Sequence, residues 1–497
     1  MATRNTRALF VTKLPRDCLC VNVSDDALGM KRLLQEANLH DNNVGARIVH
    51  NKKRAMYLAM DGSRPVTSSA EVAAAISDLT DHHVCVCITD VKDPHRLMLV
   101  LAVWKACYSF NVHKTDQTSN KHISFLCPST PHTREMERLL ESLQLAADVE
   151  NEPANVVTPE SLALRIAAWF PKHASNILHL ADLRKEGLGL VQAVGQGSAS
   201  PPCMLLLDSE GGNDTPYTPR PKKQKNQRTV VIIGKGVLFD SGGLSIKLRS
   251  MYGMHGDKSG AAVAAAIFHH FYQSRKPCKS RATTTCKKSR ATTTCSKQQQ
   301  KTRLIVVLPF VENVISATAV RPGDVVTACD GTTVEVVDPD AEGRLILADA
   351  MAYATKRYSP DLVIDFATMT GYGSSVHHDL SAAFFTTNQL LAKAAYEVGE
   401  HTGERTWGMP PWLEYASETQ SAVADLRNAG WNANDDEGVM GALFLSNFAP
   451  TSASWIHFDI AKNTTSKSGS VFTATGVALG VEFLRMIHNS LHDCSFP

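Results

Sequence analysis

Beyond residue 158, apolar runs alternate with amphipathic segments, and this alternation constrains the fold of the chain more than any other feature. Runs that read as buried strands occupy 199–207, 229–234, 303–309, 361–366 and 454–459. Segments that read as helices occupy 260–272, 345–358 and 390–400. Such alternation is typical of a doubly wound, mostly parallel sheet with helices on both faces. We therefore predict an α/β fold whose functional sites collect at the carboxyl ends of the strands.

The first 150 residues show a weaker version of the same pattern. Apolar runs at 84–89 and 97–104 alternate with polar, helix-like stretches such as 133–147. This pattern favours a small α/β domain, although these residues carry no motif that indicates its role.

A domain boundary is predicted near residue 150. Residues 151–157 read as a link, and Thr158-Pro159-Glu160 then supplies a cap, a first-turn proline and an acid near the positive end of a helix. We therefore predict an N-terminal α/β domain at 1–150 and a larger α/β domain at 151–497.

Two basic stretches interrupt the larger domain, at 208–228 and 276–301. The second contains a near-exact duplication of nine residues, 280–288 and 289–297, and both are too polar to bury the apolar area that would offset the entropy of ordering them. We predict that both are disordered surface insertions. The fifteen cations at 220–228 and 275–303 leave 36 of the 51 Lys and Arg, against 49 Asp and Glu, for the rest of the chain, which is therefore acidic.

Composition excludes several classes of protein. No apolar run approaches the roughly 18 residues that a membrane span requires. The spacing of the 12 cysteines fits neither a disulfide framework nor a zinc motif, so buried thiols in a reducing compartment are favoured. Four cations and no acid in residues 1–16 would also fit an organelle transit segment, but the same residues read as a first strand, and we predict a cytoplasmic location.

Two motifs gather carboxylates and cations where predicted strands end. The first motif spans 234–247 and the second spans 340–345. Their carboxylates, with one candidate between them, are Asp240, Asp257, Asp340 and Glu342. Hard oxygen ligands in this number can hold and bridge two divalent ions. The motifs also contain two cations, Lys247 and Arg344, which could stabilise negative charge on a substrate.

The sequences of these two motifs resemble the signature sequences of the M17 leucyl aminopeptidase family. The resemblance runs from about residue 151 to about residue 480. It includes further segments at 151–155, 312–313, 321–324, 368–371 and 457–461. The resemblance implies a metal-dependent aminopeptidase that removes an N-terminal, apolar, leucine-like residue from peptides and assembles as a homohexamer.

The resemblance also implies a dinuclear centre, with Zn²⁺ or Mn²⁺ bound and with Mg²⁺ or Co²⁺ as alternatives at an exchangeable position. The ligands that it implies are Lys235, Asp240, Asp257, Asp340 and Glu342. Lysine coordinates only as the neutral amine, so a dication would have to lower a pKa that is about 10.4 in free lysine. Without the surrounding motif, Lys235 would read as an ordinary lysine in a glycine loop.

The resemblance assigns roles to the two cations. Lys247 would stabilise the oxyanion that develops on the substrate, a role suited to a preorganised cation in a site with little water. Arg344 would hold a bicarbonate that acts as a general base, because its planar guanidinium suits a bidentate oxyanion. For Arg344 a structural salt bridge with a carboxylate is the alternative.

Six residues match positions that contact substrate in the family. Those that would line the pocket for the first side chain are Met254, Thr368, Gly371 and Ala461, and those beside the substrate backbone are Met369 and Thr370. A methionine among small residues favours an apolar, adaptable pocket. Core packing would explain Met254 and Ala461 equally well.

This chain departs from the family pattern at several positions. Asp338-Pro339 stands where Asn-Thr is usual, Lys247 and Asp257 are one residue closer than usual, and His255 and Lys258 replace a basic residue and a methionine. A cation at Lys258 would either point away from the ions or compete with them. These departures leave open a catalytically weak protein that acts as a scaffold. A further alternative is nucleic-acid binding through the basic insertions. The insertions contain almost no aromatic residue that could stack on bases, which counts against this alternative.

Overall fold

A computed structural model of the chain describes residues 8–11, 19–24, 55–59, 65–79, 83–115, 121–211, 227–249, 251–274, 301–371, 376–410, 412–430, 437–461 and 471–492. Most of the two predicted insertions, at 212–226 and 275–300, lies outside these ranges, so the prediction of disorder there stays a prediction. Within the described part of the chain, no helix is both long and apolar enough to cross a membrane.

The N-terminal part is built on a five-stranded parallel sheet with the order β1-β5-β4-β2-β3. Its strands are β1 (Ala8–Val11), β2 (Leu19–Ser24), β3 (Ala55–Ala59), β4 (His83–Asp90) and β5 (His122–Leu126). Its helices are α1 (Pro65–Ser77), α2 (Asp93–Cys107) and α3 (Pro131–Glu150). The apolar run 97–104 lies in α2 and is mostly buried.

The larger part is built on a nine-stranded sheet. Its path has the order β15-β14-β17-β13-β8-β10-β7-β6, and β9 pairs with β10 off this path. The strands are β6 (Ser175–Leu178), β7 (Cys203–Asp208), β8 (Gln227–Gly234), β9 (Gly236–Asp240), β10 (Lys301–Asn313), β13 (Leu362–Ala367), β14 (Ala382–Phe385), β15 (Thr406–Gly408) and β17 (Ser454–Asp459). Strands β17, β13, β8 and β10 run parallel to one another, and antiparallel pairs occur only toward the two edges.

Helices cover both faces of this sheet. The helices of this part are α4 (Pro159–Ala167), α5 (Leu180–Glu186), α6 (Gly189–Gly195), α7 (Ser259–Ser274), α8 (Glu342–Tyr358), α9 (Gln389–Thr402), α10 (Glu437–Ser446) and α11 (Val477–His492). Along β8, Val230 and Ile232 face the core that contains α7 and α11, whereas Val231 and Ile233 face the core that contains α6, α8 and α10. The prediction of a doubly wound, mostly parallel α/β sheet is confirmed.

The start of α4 follows from its local sequence. Thr158 accepts a hydrogen bond from the Ser161 amide and Pro159 occupies the first turn, as a helix start requires. Helix α3 precedes this link and packs against α7 of the larger sheet, so apolar contacts connect the two parts of the chain. The division at residue 150 stays a prediction.

A small third sheet corrects one detail of the predicted layout. It contains β11 (Asp324–Thr327), β12 (Thr333–Val336) and β16 (Leu426–Arg427). The motif at 340–345 follows β12 of this small sheet, and not a strand of the central sheet. Asn428, directly after β16, accepts the backbone N–H groups of Val337 and Asp338 and thereby fixes the approach to the motif.

Candidate metal centre

The candidate site lies where four neighbouring strands end. Lys235 follows β8, Asp240 ends β9, Asn313 ends β10 and Thr368 follows β13. These strands are parallel to one another, so their carboxyl ends meet at one edge of the sheet. The starts of two helices provide two further carboxylates, because Asp257 lies just before α7 and Glu342 is the first residue of α8.

Three buried carboxylates converge on one point. One oxygen from each of Asp240, Asp257 and Glu342 lies within 4.8 Å of the others, a spacing that suits a shared cation. The Lys235 ammonium lies between two of them, 2.9 Å from Asp257 Oδ2 and 2.9 Å from Glu342 Oε1. Four of the five predicted metal ligands therefore meet in one buried cluster.

Close backbone approach places Lys235 there. Its N–H donates to Phe366 O, its carbonyl accepts from the Ala261 amide, and its Nζ donates to Thr368 O at 2.7 Å. A side chain on Gly343 would place its Cβ only 2.6 Å from Lys235 Cε. A side chain at 343 would therefore displace the end of the Lys235 side chain, and glycine lets α8 begin directly against it.

Several buried oxygens in the cluster have no hydrogen-bond partner among the described residues. These atoms are Asp257 Oδ2, Glu342 Oε1 and Glu342 Oε2. Lys235 is within ion-pair distance of two of them, and Glu342 Oε2 has neither kind of partner there. Buried carboxylate oxygens are normally paired, so this donor set fits a metal ion better than it fits a closed hydrogen-bond network.

The electrostatics of the cluster reflect its burial. Burial, together with the neighbouring Glu342 and Asp240, raises the pKa of Asp257 well above its usual value, although Lys235 opposes this. Burial and Asp240 likewise raise the pKa of Glu342. Burial disfavours the charged form of Lys235, but the three surrounding carboxylates outweigh burial and raise its pKa. The carboxylates therefore repel one another and attract any cation.

The fifth predicted ligand, Asp340, lies on the more open side of the site with Lys247. Lys247 Nζ is 2.7 Å from Asp240 Oδ2 and 2.5 Å from Asp340 Oδ1, so it bridges the two motifs. The side chains of Lys247 and Asp340 are 18% and 30% exposed, whereas the other four predicted ligands are buried. Burial and Asp240 raise the pKa of Asp340 to about 7.

Arg344 is buried at the first turn of α8. Its Nη1 donates to Asn428 O at 2.9 Å and its Nη2 donates to Glu437 O at 3.4 Å, while Nε has no partner in the part of the chain that the structure describes. No carboxylate among the described residues lies within ion-pair distance of the guanidinium. The salt bridge that was the alternative for Arg344 is therefore not present among these residues.

Asp459, at the end of β17, organises three of the predicted substrate contacts. Its carboxylate accepts the backbone N–H groups of Met369, Thr370 and Ala461, and also the Thr370 hydroxyl at 2.6 Å. The Thr368 hydroxyl donates to Asp257 Oδ1 at 2.7 Å. These contacts connect the segment after β13 to the cluster of Asp240, Asp257 and Glu342 around Lys235, which is called the metal cluster below.

The remaining two predicted contacts are less constrained. Met254 is half-buried in a short 3₁₀ helix, Met251–Gly256, that ends one residue before Asp257. Gly371 is exposed, three residues after Thr368. The structure therefore places Met254 and Gly371 close in sequence to the cluster, and their roles stay predictions.

The comparison with known protein families agrees with this geometry. Residues 144–288 and 282–484 match the catalytic domain of the cytosol aminopeptidase family, and the match includes all five predicted metal ligands. The chain belongs to the cytosol aminopeptidase family. Probable cytosol aminopeptidases of Syntrophotalea carbinolica and of a Geobacter species are 35% and 32% identical to it, over 68% and 76% of this chain. The match spans 62% of the Syntrophotalea protein and 73% of the Geobacter protein.

Solved structures extend the similarity over nearly the whole fold. The bottromycin maturation enzyme BotP is 26% identical, with a TM-score of 0.74, over 95% of this chain and 100% of its own. A leucine aminopeptidase of Caenorhabditis elegans shares the fold with a TM-score of 0.78 at 21% identity, over 97% of this chain and 98% of its own. A structure of BotP in complex with Mn has also been solved.

The motifs did not predict two residues that orient the candidate site. Asn313 Nδ2 donates to Asp240 Oδ1 at 2.8 Å and to Pro339 O at 3.0 Å, and so orients a candidate ligand. Asp459 positions the segment after β13, as described above. Both residues end strands and both lie in matched motifs, which is the signal that could have found them.

Asn313→Ala is expected to weaken metal binding while the fold is kept. Loss of a group that orients a metal ligand typically lowers metal affinity about 10- to 100-fold. Titration calorimetry with Mn²⁺ measures this change, and Asn388→Ala, which removes the cap of α9, is the matched control. Equal Mn²⁺ affinity in Asn313→Ala and wild type would contradict the orienting role.

Lys258 contacts backbone carbonyls and not the carboxylate cluster. It is fully buried and its ammonium points away from the cluster, donating to the carbonyls of Glu150 at 3.2 Å, Glu152 at 2.8 Å and His255. Burial lowers the pKa of Lys258 to about 7, although Glu150 and Glu152 oppose this. Because α3 ends at Glu150, Lys258 caps the carboxyl end of that helix.

Lys258→Met is therefore expected to lower stability without changing Mn²⁺ affinity. Methionine has a similar length but donates no hydrogen bond, and unsatisfied buried carbonyls cost about 1–3 kcal/mol each. Thermal unfolding and Mn²⁺ titration measure the two effects separately. A rise in Mn²⁺ affinity in Lys258→Met would show that this cation does repel ions.

Pro339 also fits the site. Its carbonyl accepts from Asn313, and the Asp340 N–H donates to Asp338 Oδ1 at 2.9 Å. Asn428 Nδ2 donates to Asp338 O at 2.7 Å. Side chains therefore provide the hydrogen bonds around the motif at 340–345, and neither Pro339 nor Lys258 distorts the ligand set.

Proposed function

We propose that this protein is a metal-dependent aminopeptidase that releases an N-terminal, apolar, leucine-like residue from peptides. The observation that carries this proposal is the buried cluster of Asp240, Asp257 and Glu342 around Lys235, with carboxylate oxygens that no described residue hydrogen-bonds. Membership of a family of aminopeptidases supports the reaction class.

Two divalent ions would be held by Lys235, Asp240, Asp257, Asp340 and Glu342, with Zn²⁺ and Mn²⁺ as the proposed occupants and Mg²⁺ or Co²⁺ at an exchangeable position. Bound ions of this kind lower the pKa of a shared water toward about 7 and polarise a carbonyl. Glu342 and Asp240 would be the ligands shared by both ions, as the family resemblance implies. Lys235 has to lose its proton to coordinate, so metal binding releases protons.

Lys247 would stabilise the oxyanion. It is only partly exposed, and two carboxylates hold its ammonium at the open side of the cluster, where a substrate carbonyl would enter. Burial disfavours the charged form of Lys247, but Asp240 and Glu342 outweigh burial and raise its pKa. These carboxylates therefore favour the charged form of Lys247, which would be preorganised to meet developing negative charge.

Arg344 would hold an anion, with bicarbonate as the proposed species. The guanidinium is buried, and the described residues give it backbone carbonyls but no carboxylate. Burial lowers its pKa, and a buried cation without a paired anion is costly. A bidentate oxyanion at Arg344 would relieve this cost and would stand next to the ligand Glu342.

The substrate would lie along the segment after β13. Met369 and Thr370 are held by Asp459 beside the cluster, and Thr368 contacts the ligand Asp257. Met254, Gly371 and Ala461 would complete the pocket for the first side chain, and a methionine among small residues favours an apolar side chain there.

The assembly and its location remain proposals by resemblance. We propose a cytoplasmic homohexamer that acts on peptides, and light scattering would test the mass of the assembly. Of the two alternatives, the scaffold loses its support because neither Lys258 nor Pro339 disturbs the ligand set. Nucleic-acid binding depends on the basic insertions, and no described contact favours it.

The proposed specificity is tested with matched peptides. We expect release of leucine from a leucyl peptide with a free amino terminus, slower release of aspartate or lysine from otherwise identical peptides, and no cleavage of the acetylated leucyl peptide. Mass spectrometry of the products identifies the bond that is broken. Cleavage of the acetylated peptide at an internal bond would contradict an aminopeptidase.

A further inference from the structure

A cavity of about 530 Å³ lies between the N-terminal helices and the larger sheet, and no predicted metal ligand lines it. Its size is within the range of small-molecule sites, roughly 300–1,000 Å³. Helices α1 and α2 form one wall, and residues 379–380, 402–405 and 471–475 form the other. An occupant would therefore contact both parts of the chain.

The wall that α1 and α2 form is mostly apolar. Most of its apolar side chains are alanines, with Val66, Met98 and Leu101, and its polar side chains are Ser69, Ser77 and Lys105. Such a wall suits a short aliphatic side chain.

Lys105 and Glu404 place adjacent charges of opposite sign at the cavity, which Asp379 and Arg405 also line, and Arg405 is paired with Glu400. Lys105 Nζ donates to Glu404 Oε1 at 2.6 Å and to Thr475 Oγ1 at 3.1 Å. Glu404 Oε2 accepts the N–H groups of Gly476 at 3.2 Å and Leu479 at 2.8 Å. An ammonium has three donors and a carboxylate has about four acceptor positions, so the described residues leave one donor on Lys105 and one position on Glu404 for a ligand.

A buried hydroxyl on the α1 side also lacks a partner. Ser69 lines the cavity, is 1% exposed, and its Oγ has no hydrogen-bond partner among the residues described. Buried hydroxyl groups are normally paired, so an unpartnered one at a cavity indicates a site for a polar ligand atom.

We propose that this cavity binds a free α-amino acid with an apolar side chain, the class of product that the proposed aminopeptidase reaction releases. An α-amino acid carries its ammonium and carboxylate on one carbon, which matches two protein charges 2.6 Å apart. A dipeptide separates its charges by a peptide unit and does not match them. The choice of ligand rests on charge complementarity, and its description as product rests on the proposed function.

The cavity connects to the metal cluster through residues 472–476. Phe472 is held by Asn151 through its backbone N–H at 2.9 Å, and its ring packs on His255 with a centroid distance of 5.3 Å. An added Cβ on Gly256 would overlap the Phe472 ring. His255 and Gly256 end the 3₁₀ helix directly before the ligand Asp257. Ligand contacts at Lys105 and Glu404 would therefore bear on the segment that positions Asp257.

Binding is tested on chains that cannot hydrolyse peptides, so that the outcome is independent of the proposed reaction. Titration calorimetry with L-leucine on metal-stripped Glu342→Ala, and on the metal-stripped wild-type chain, is expected to show one saturable site. 4-Methylpentanoate, isopentylamine and leucyl-leucine, which lack one charge or separate the two, are expected to bind about tenfold more weakly or worse.

Three substitutions locate the site. Lys105→Met removes one charge, Ala102→Phe fills the cavity, and Ser69→Ala removes the unpartnered hydroxyl; each is expected to weaken leucine binding. Ser69→Ala is the decisive variant, because loss of an unpaired hydroxyl does not cost stability, so its thermal unfolding is expected to match that of wild type. Lys393→Met, on an exposed face of α9, is the control. Absence of leucine binding, or leucine binding that all three substitutions leave unchanged, would overturn the proposal, and stronger binding of leucyl-leucine would overturn the assignment to an α-amino acid.

Discussion

Glu342→Ala is expected to abolish metal-restored hydrolysis and to remove most of the metal from the protein. Glu342 is buried at the first turn of α8, its two oxygens have no hydrogen-bond partner among the described residues, and one lies 2.9 Å from Lys235. Its removal deletes a proposed shared ligand and leaves Lys235 with one fewer counter-charge. Metal content by elemental analysis, together with leucyl-peptide hydrolysis, measures both losses.

A matched control exists on the same helix. Asp349 is also fully buried on α8, but it accepts the N–H groups of Val191 and Cys329, far from the cluster. Asp349→Asn keeps an acceptor there and is expected to retain metal and activity. If Glu342→Ala kept its full metal content, the proposed ligand set would be wrong.

Lys247→Ala is expected to lower kcat strongly while metal remains bound. Lys247 bridges Asp240 and Asp340 at the open side of the cluster, so its loss removes a cation that would meet the oxyanion but no carboxylate ligand. Removal of one preorganised oxyanion donor typically costs about 10²–10³-fold in kcat. Steady-state kinetics at saturating Mn²⁺ separate this effect from metal loss.

Two further variants make the Lys247 result specific. Lys247→Arg keeps the charge and is expected to recover part of kcat, whereas Lys393→Ala removes an exposed lysine and is expected to act like wild type. An unchanged kcat in Lys247→Ala, or a loss of activity explained entirely by lost metal, would contradict the assigned role.

Much of the fold could be predicted from local patterns, because those patterns act locally. The strands at 229–234 and 454–459 are buried on both faces, so their apolar runs are continuous, and the cap at Thr158 satisfies its own helix start. The small sheet was not predicted, because β16 has only two residues and pairs with β12 far away in sequence.

The side-chain partners of the site depend on contacts between segments that are distant in sequence. The sequence of a single motif does not show these contacts. Lys258 is an example: its charge next to a ligand suggested competition, but the carbonyls at the end of α3, more than a hundred residues earlier, take its ammonium. Asp459 is another, because it accepts the backbone N–H groups of Met369 and Thr370, which follow the neighbouring strand β13. The residue types in the motifs indicated a metal site. The pairing of strands determines which other residues position the residues of that site.

The most direct test of the metal-dependent aminopeptidase is hydrolysis of a leucyl reporter peptide by the full chain, first stripped of metal by a chelator and then restored with Mn²⁺, Zn²⁺, Co²⁺ or Mg²⁺. We predict no activity after stripping, recovery with at least Mn²⁺ or Zn²⁺, no recovery in Glu342→Ala, and recovery of only about 10⁻²–10⁻³ of the wild-type kcat in Lys247→Ala. Unchanged hydrolysis after complete metal removal, or no hydrolysis with any of the four metals from a folded protein, would contradict it.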